Sequence, residues 1–85
     1  MRTLAFTPTA SAQYDKWAAN DRKVRDRIVE LLKATMQEPF KGIGKPEPLK
    51  HSLKGCWSRR INKEHRLVYQ VTNDTIIVIS CMFHY

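Results

Sequence analysis

Apolar residues recur along this chain at two spacings, and the switch from one to the other divides it. Val24, Ile28, Leu31, Leu32 and Met36 share one helical face, while Arg25, Asp26, Glu30 and Lys33 take the others. That spacing predicts a helix over residues 22–36, ended by Pro39. Upstream, Tyr14, Trp17 and Ala18 form a shorter stripe, which predicts a helix over 10–20 capped by Thr7 or Thr9. Asn20 and Asp21 interrupt and recap the chain between the two. Leu4 and Phe6, at strand spacing and stopped by Pro8, predict a short first strand over 2–6.

From Trp57 the period changes to two. Runs over 57–62, 66–72 and 75–83 predict three strands, and Asn73-Asp74 is a good two-residue hairpin turn between the last pair. The expected fold is therefore α+β: an N-terminal strand, two helices, then a three-strand antiparallel meander with both helices packed on one of its faces.

The register of the first hairpin follows from side-chain period. With Trp57, Ile61, Leu67, Tyr69 and Val71 turned to the helices, Ser58, Arg60, Asn62 and Arg66 share the opposite face. Paired residue numbers then sum to an even value, with an odd-numbered loop around Lys63, Glu64 and His65. A two-residue loop would bring Arg66 beside Ile61 on the helix side, where an unpaired guanidinium is costly. Carried across Asn73-Asp74, the same pairing puts Ile76 and Val78 in the core, Arg66 near Cys81 and Tyr85 on the arginine face. Strict alternation puts His84 on the other.

A chain of 85 residues has material for one domain, spanning 1–85, with a modest core. Its composition, 42% hydrophobic and 27% charged, is that of a folded protein. No apolar run approaches the roughly 20 residues that span a bilayer, and residues 1–9 lack the apolar core of a signal peptide, so a cytoplasmic protein with no membrane partner is expected. Cys56 and Cys81 lie 25 positions apart with no C-x-x-C pair, which favours free thiols and no bound metal or other cofactor.

The net charge of +7 changes the picture more. Residues 1–40 carry +2 of it and residues 41–85 carry +5. A polyanion, nucleic acid or acidic protein, is the expected partner of the second half. The basic face of the second helix has a blander explanation, because Arg22, Lys23, Arg25 and Arg27 alternate with Asp21, Asp26 and Glu30 as on any solvated mixed-charge surface.

The excess positive charge gathers over residues 42–69. Gly42, Gly44, Pro46, Pro48 and Gly55 make its first part a loop. There Glu47 stands among Lys45, Lys50, Lys54, Arg59, Arg60, Lys63 and Arg66, with Glu64 the second acid and His51 and His65 beside them. Each residue alone is unremarkable: Glu47 as a surface acid, the arginines as a plain phosphate-binding or protein-binding patch. Their combination points to an anion site.

The runs G-K-P-E-P-L-K-H over 44–51, W-S-R-R-I over 57–61 and E-H-R-L-V-Y over 64–69, with the terminal His84-Tyr85, resemble the YoeB toxins of the RelE-like group. The resemblance extends over essentially the whole chain. It implies a ribosome-dependent messenger RNA endoribonuclease, neutralised by an acidic antitoxin of the YefM type, and it suggests a homodimer. By the same resemblance Glu47 is the general base, Arg66 the phosphate-contacting arginine and His84 the general acid, with Tyr85 beside them. Lys50 and Arg60 are supporting cations, and Lys54 and Arg59 of the same basic run join them as candidate RNA contacts. His51 and His65 receive no role.

Those roles answer a chemical need. Metal-free RNA cleavage requires a base for the 2′-hydroxyl, an acid for the 5′-oxygen leaving group and cations for the phosphorane, and it leaves a 2′,3′-cyclic phosphate. Two other readings remain: a non-enzymatic toxin of the same architecture, ParE-like and acting by binding, or a small basic RNA-binding module. Neither needs Glu47, Arg66, His84 and Tyr85 together.

Overall fold

The computed structural model describes residues 2–83. Strand β1, Thr3–Phe6, leads to Thr7, whose Oγ1 accepts the Ala10 amide at 3.1 Å while Pro8 takes the first turn of α1, Pro8–Asn20. Asp21 serves two helices. Its amide donates to Trp17 O at 2.8 Å to close α1, and its Oδ1 accepts the Val24 amide at 3.2 Å to open α2, Arg22–Gln37. Pro39 then prevents any continuation.

Four further strands follow: β2, Glu47–Pro48; β3, Cys56–Arg60; β4, Arg66–Val71; and β5, Thr75–Ser80. They form one mixed sheet in the order β1-β5-β4-β3-β2, with β1 parallel to β5 and the other neighbours antiparallel. The α+β class, the two helices and the meander are as expected. The parallel docking of β1 and the two-residue edge strand β2 were not legible, since Pro46 and Pro48 disguise β2 as plain loop.

The apolar stripe of α2 makes the core. Ile28, Leu31 and Leu32 pack with Ala10 of α1 against Leu67 and Tyr69 of β4, Ile76 and Val78 of β5, and Ile61 and Cys81. Arg25 and Arg27 on the outer side pair with Asp26 and Glu30, the solvated surface that the sequence suggested.

The β3–β4 register has the expected parity. Trp57 faces Tyr69, Arg59 faces Leu67 and Arg60 faces Arg66. Across β4 and β5, however, Tyr69 pairs with Val78 and Val68 with Ser80, leaving Ile79 as a bulge. One extra residue reverses the alternation beyond it. Cys81 therefore lies in the core, fully buried, rather than beside Arg66 on the open face, and the Arg66 amide donates instead to Phe83 O at 3.3 Å. The facings expected for His84 and Tyr85 assumed strict alternation, and both residues lie outside the described range.

Parity also turns Arg59 toward the helices, and here the expectation of an RNA contact is corrected. Arg59 is 0% exposed. Its Nη1 donates to Ile43 O at 2.9 Å, its Nη2 to Glu38 O and Lys41 O at 2.6 and 2.9 Å, and its Nε to the Tyr69 hydroxyl at 3.1 Å. The Tyr69 hydroxyl donates in turn to Pro39 O at 2.6 Å. Burial pushes the Tyr69 phenol up, against the pull of Arg59, so it stays protonated and able to donate.

Gly44 completes the attachment. It lies at φ +82°, its carbonyl accepts the Arg60 amide at 2.7 Å, and a Cβ on it would stand 2.8 Å from Leu31 Cδ2. The loop between α2 and β2 is thus fastened to β3 along its length.

Replacing Arg59 by Met should therefore unfold the protein far more readily than replacing its exposed neighbour. The carbonyls of Glu38, Lys41 and Ile43 and the Tyr69 hydroxyl lose the buried donor that gathers them, a loss of about 3 kcal/mol or more. Urea titration of Arg59→Met beside Arg60→Met checks this, with only the first expected to move the midpoint.

Candidate active site

On the sheet face away from the helices, three of the expected residues come together. Glu47 enters this face because β2 pairs with β3, placing Glu47 opposite Ser58. Arg60 and Arg66 enter it as a directly opposed pair on β3 and β4. Glu47 Oε1 accepts Arg66 Nη1 at 3.1 Å, with the arginine side chain 22% exposed and the carboxylate 55%.

Two arginines directly opposite on adjacent strands repel one another. Glu47 offsets part of that repulsion, while Arg60 is exposed and has no carboxylate partner among the described residues. The face thus holds one oriented carboxylate and an excess of positive charge, a setting whose charge would suit a phosphate diester.

The remaining candidates separate. Lys50 and Lys54 flank the short 3-10 turn His51–Leu53 beyond β2, and both are exposed on the rim rather than joined to the ion pair. Arg59 is in the core, as described. His84 and Tyr85 lie outside the described residues.

Two polar features of this region were given no role in the sequence. Ser58, between Glu47 and Val68 in the sheet, is 0% exposed and its Oγ has no hydrogen-bond partner among the described residues. His65, just before Arg66, accepts the Phe83 amide on Nδ1 at 2.7 Å. Alternation from Arg60 already put Ser58 on the open face; nothing local marked His65. Cys56, by parity on the same face, is a free thiol that burial pushes up, so it is a poor source of thiolate. An apolar groove of about 660 Å³ lined by Leu4, Phe6, Tyr14, Leu32 and Met36 lies elsewhere, between β1 and the two helices.

A two-helix layer on one face of a mixed sheet, with a carboxylate and two opposed arginines on the other, defines a small α+β domain of the toxin fold. The chain belongs to the YoeB-like toxins of bacterial type II toxin-antitoxin systems, whose family model matches residues 6–85. Toxin YoeB of Escherichia coli K12 is 53% identical over 82 residues, covering 96% of this chain and 98% of that one. A YoeB/ParE toxin from Agrobacterium tumefaciens superposes with a TM-score of 0.95 at 41% identity over the full length of both chains. YoeB of Staphylococcus aureus has been solved as a dimer, with TM-score 0.92, 46% identity and coverage of 99% of this chain and 98% of that one. It has also been solved in a heterotetrameric complex with YefM, with TM-score 0.91, 45% identity and coverage of 100% and 99%.

The Glu47–Arg66 pair should contribute little to stability, because more than half of the carboxylate is in water. Glu47→Gln is expected to change unfolding free energy by less than about 1 kcal/mol. Thermal denaturation at low and high salt checks this. An unchanged fold would let any loss of activity be assigned to chemistry.

Proposed function

We propose that this toxin is a metal-independent endoribonuclease that cleaves messenger RNA on the ribosome and so stops translation. The observation that carries the reading is the 3.1 Å contact between Glu47 and Arg66 beside Arg60, which has no carboxylate partner among the described residues. A surface that merely bound phosphate would gain nothing from a carboxylate at its centre.

In this scheme Glu47 takes the proton of the 2′-hydroxyl, and the oxygen attacks the adjacent phosphorus. Arg66, already held by Glu47, turns its remaining N–H groups to the phosphorane, with Arg60 and Lys50 supplying further positive charge. His84 gives a proton to the departing 5′-oxygen, with Tyr85 beside it. One fragment ends in a 2′,3′-cyclic phosphate and the other begins with a 5′-hydroxyl. Lys54, on the rim, serves the flanking backbone.

Dependence on the ribosome fits the openness of the face. Glu47 is 55% exposed and Arg60 is exposed too, so the domain does little to fix an RNA strand in the in-line geometry that attack requires. A large partner that already holds the message stretched supplies that order. An acidic antitoxin of the YefM type suits a chain of net charge +7, as the YefM-bound relative from Staphylococcus aureus supports, and the dimer of the same relative supports self-association.

Cell-free translation with mapping of transcript 5′ ends tests the reading. New ends should appear within translated frames and vanish when ribosomes are omitted. Arg66→Ala should slow their appearance by about a hundredfold while remaining folded. Arrested translation with intact messages would favour a toxin that acts by binding, and full cleavage by folded Arg66→Ala would remove Arg66 from the mechanism.

A further inference from the structure

Beyond β5 the chain is held by backbone hydrogen bonds as well as by the buried Cys81 side chain. Cys81 donates its amide to Gln13 Oε1 at 2.8 Å, and its carbonyl accepts Trp17 Nε1 at 2.8 Å. Two residues on, Phe83 is fixed in the same manner: its amide donates to His65 Nδ1 at 2.7 Å and its carbonyl accepts the Arg66 amide at 3.3 Å. The Phe83 side chain is 62% exposed, so apolar burial is not what holds this residue.

Phe83 also has φ +67°, a left-handed conformation unusual for an aromatic residue, which persists only where the surroundings impose it. His65 is built to impose it. Its amide donates to Asn62 Oδ1 at 2.8 Å, its carbonyl accepts the Ile61 amide at 3.0 Å, and its ring stands edge-on to Trp17 at 4.8 Å. The Phe83 ring lies 5.8 Å away on a tilt. A backbone amide can donate only to an unprotonated ring nitrogen, so this contact requires the ring proton of His65 to sit on Nε2.

We infer that His65 is a positioning residue. By pinning Phe83 it fixes the residue from which the sequence continues to His84 and Tyr85, and it indexes that residue to the strand that carries Arg66. His65 and Arg66 are consecutive, so the side chain of one and the amide of the other grip the same residue, while the Arg66 guanidinium faces Glu47. The catalytic half of the inference rests on the ribonuclease reading above, whereas the clamp itself does not.

The test uses the full-length toxin with two variants. His65→Ala removes the acceptor; His65→Asn places an amide oxygen near the position of Nδ1 and keeps it. In the wild type, ¹⁵N spectra should report the Nε2–H tautomer of His65 and slowed exchange of the Phe83 amide. His65→Ala should lose that protection and lower the cleavage rate at saturating ribosomes by about tenfold to a hundredfold, with half-saturation unchanged. His65→Asn should restore most of both.

A folded His65→Ala with the wild-type rate would overturn the positioning role, as would equal losses in Ala and Asn variants. A proton on Nδ1 at neutral pH, or rapid exchange of the Phe83 amide in the wild type, would overturn the clamp. Because the tautomer and the exchange rate are read without substrate, the clamp stands or falls separately from the ribonuclease reading.

Discussion

A guanidinium fully inside the protein, with no carboxylate partner among the described residues, is the constraint on which the rest of the structure turns. Arg59 directs four hydrogen bonds at neutral oxygens: three carbonyls of the loop after α2 and the hydroxyl of Tyr69. A buried charge is tolerated only when its donors are satisfied. The loop therefore has to curl around Arg59, with Gly44 pressed against Leu31 and Arg59, before it can continue as β2. Only after that turn does Glu47 lie across Ser58, within reach of Arg66.

The interior cation thus places the exterior anion. Arg59 and Arg60 are consecutive on β3 and face opposite ways, one ordering the loop from below and the other charging the open face. Stability and the proposed chemistry are divided between the two sides of a single strand. The open face accepts the unfavourable opposition of Arg60 and Arg66, and Glu47 relieves only part of it. What remains is a surface better satisfied by a phosphate than by water, which connects the register of the sheet to the proposed cleavage of RNA.

Much of this was readable from residue order. The α2 stripe and the capping residues fixed both helices, and the cost of burying Arg66 gave the right hairpin parity. The same parity turns Arg59 inward. Its assignment to RNA followed from its place in a basic run, whereas the ring that receives it is made of main-chain carbonyls of Glu38, Lys41 and Ile43, whose side chains give no sign of that role. Backbone acceptors carry no mark in a sequence. For a similar reason β1 could be recognised as a strand but not as the parallel partner of β5, and the bulge at Ile79 could not be anticipated from alternation. Of the candidate site, Glu47, Arg60 and Arg66 were legible as a group. The importance of His65 was not, because its ring nitrogen meets a backbone amide 18 positions away.

The chemistry of the cut ends tests the acid-base account most directly. Messages cleaved on ribosomes by the purified toxin should carry a 2′,3′-cyclic phosphate upstream and a 5′-hydroxyl downstream, the ends that follow when the 2′-oxygen is the nucleophile. The downstream fragment should accept phosphate from a polynucleotide kinase without prior phosphatase treatment. Fragments that begin with a 5′-phosphate and end in a 3′-hydroxyl would contradict the account, since water would then be the nucleophile and Glu47 would have no 2′-hydroxyl to deprotonate.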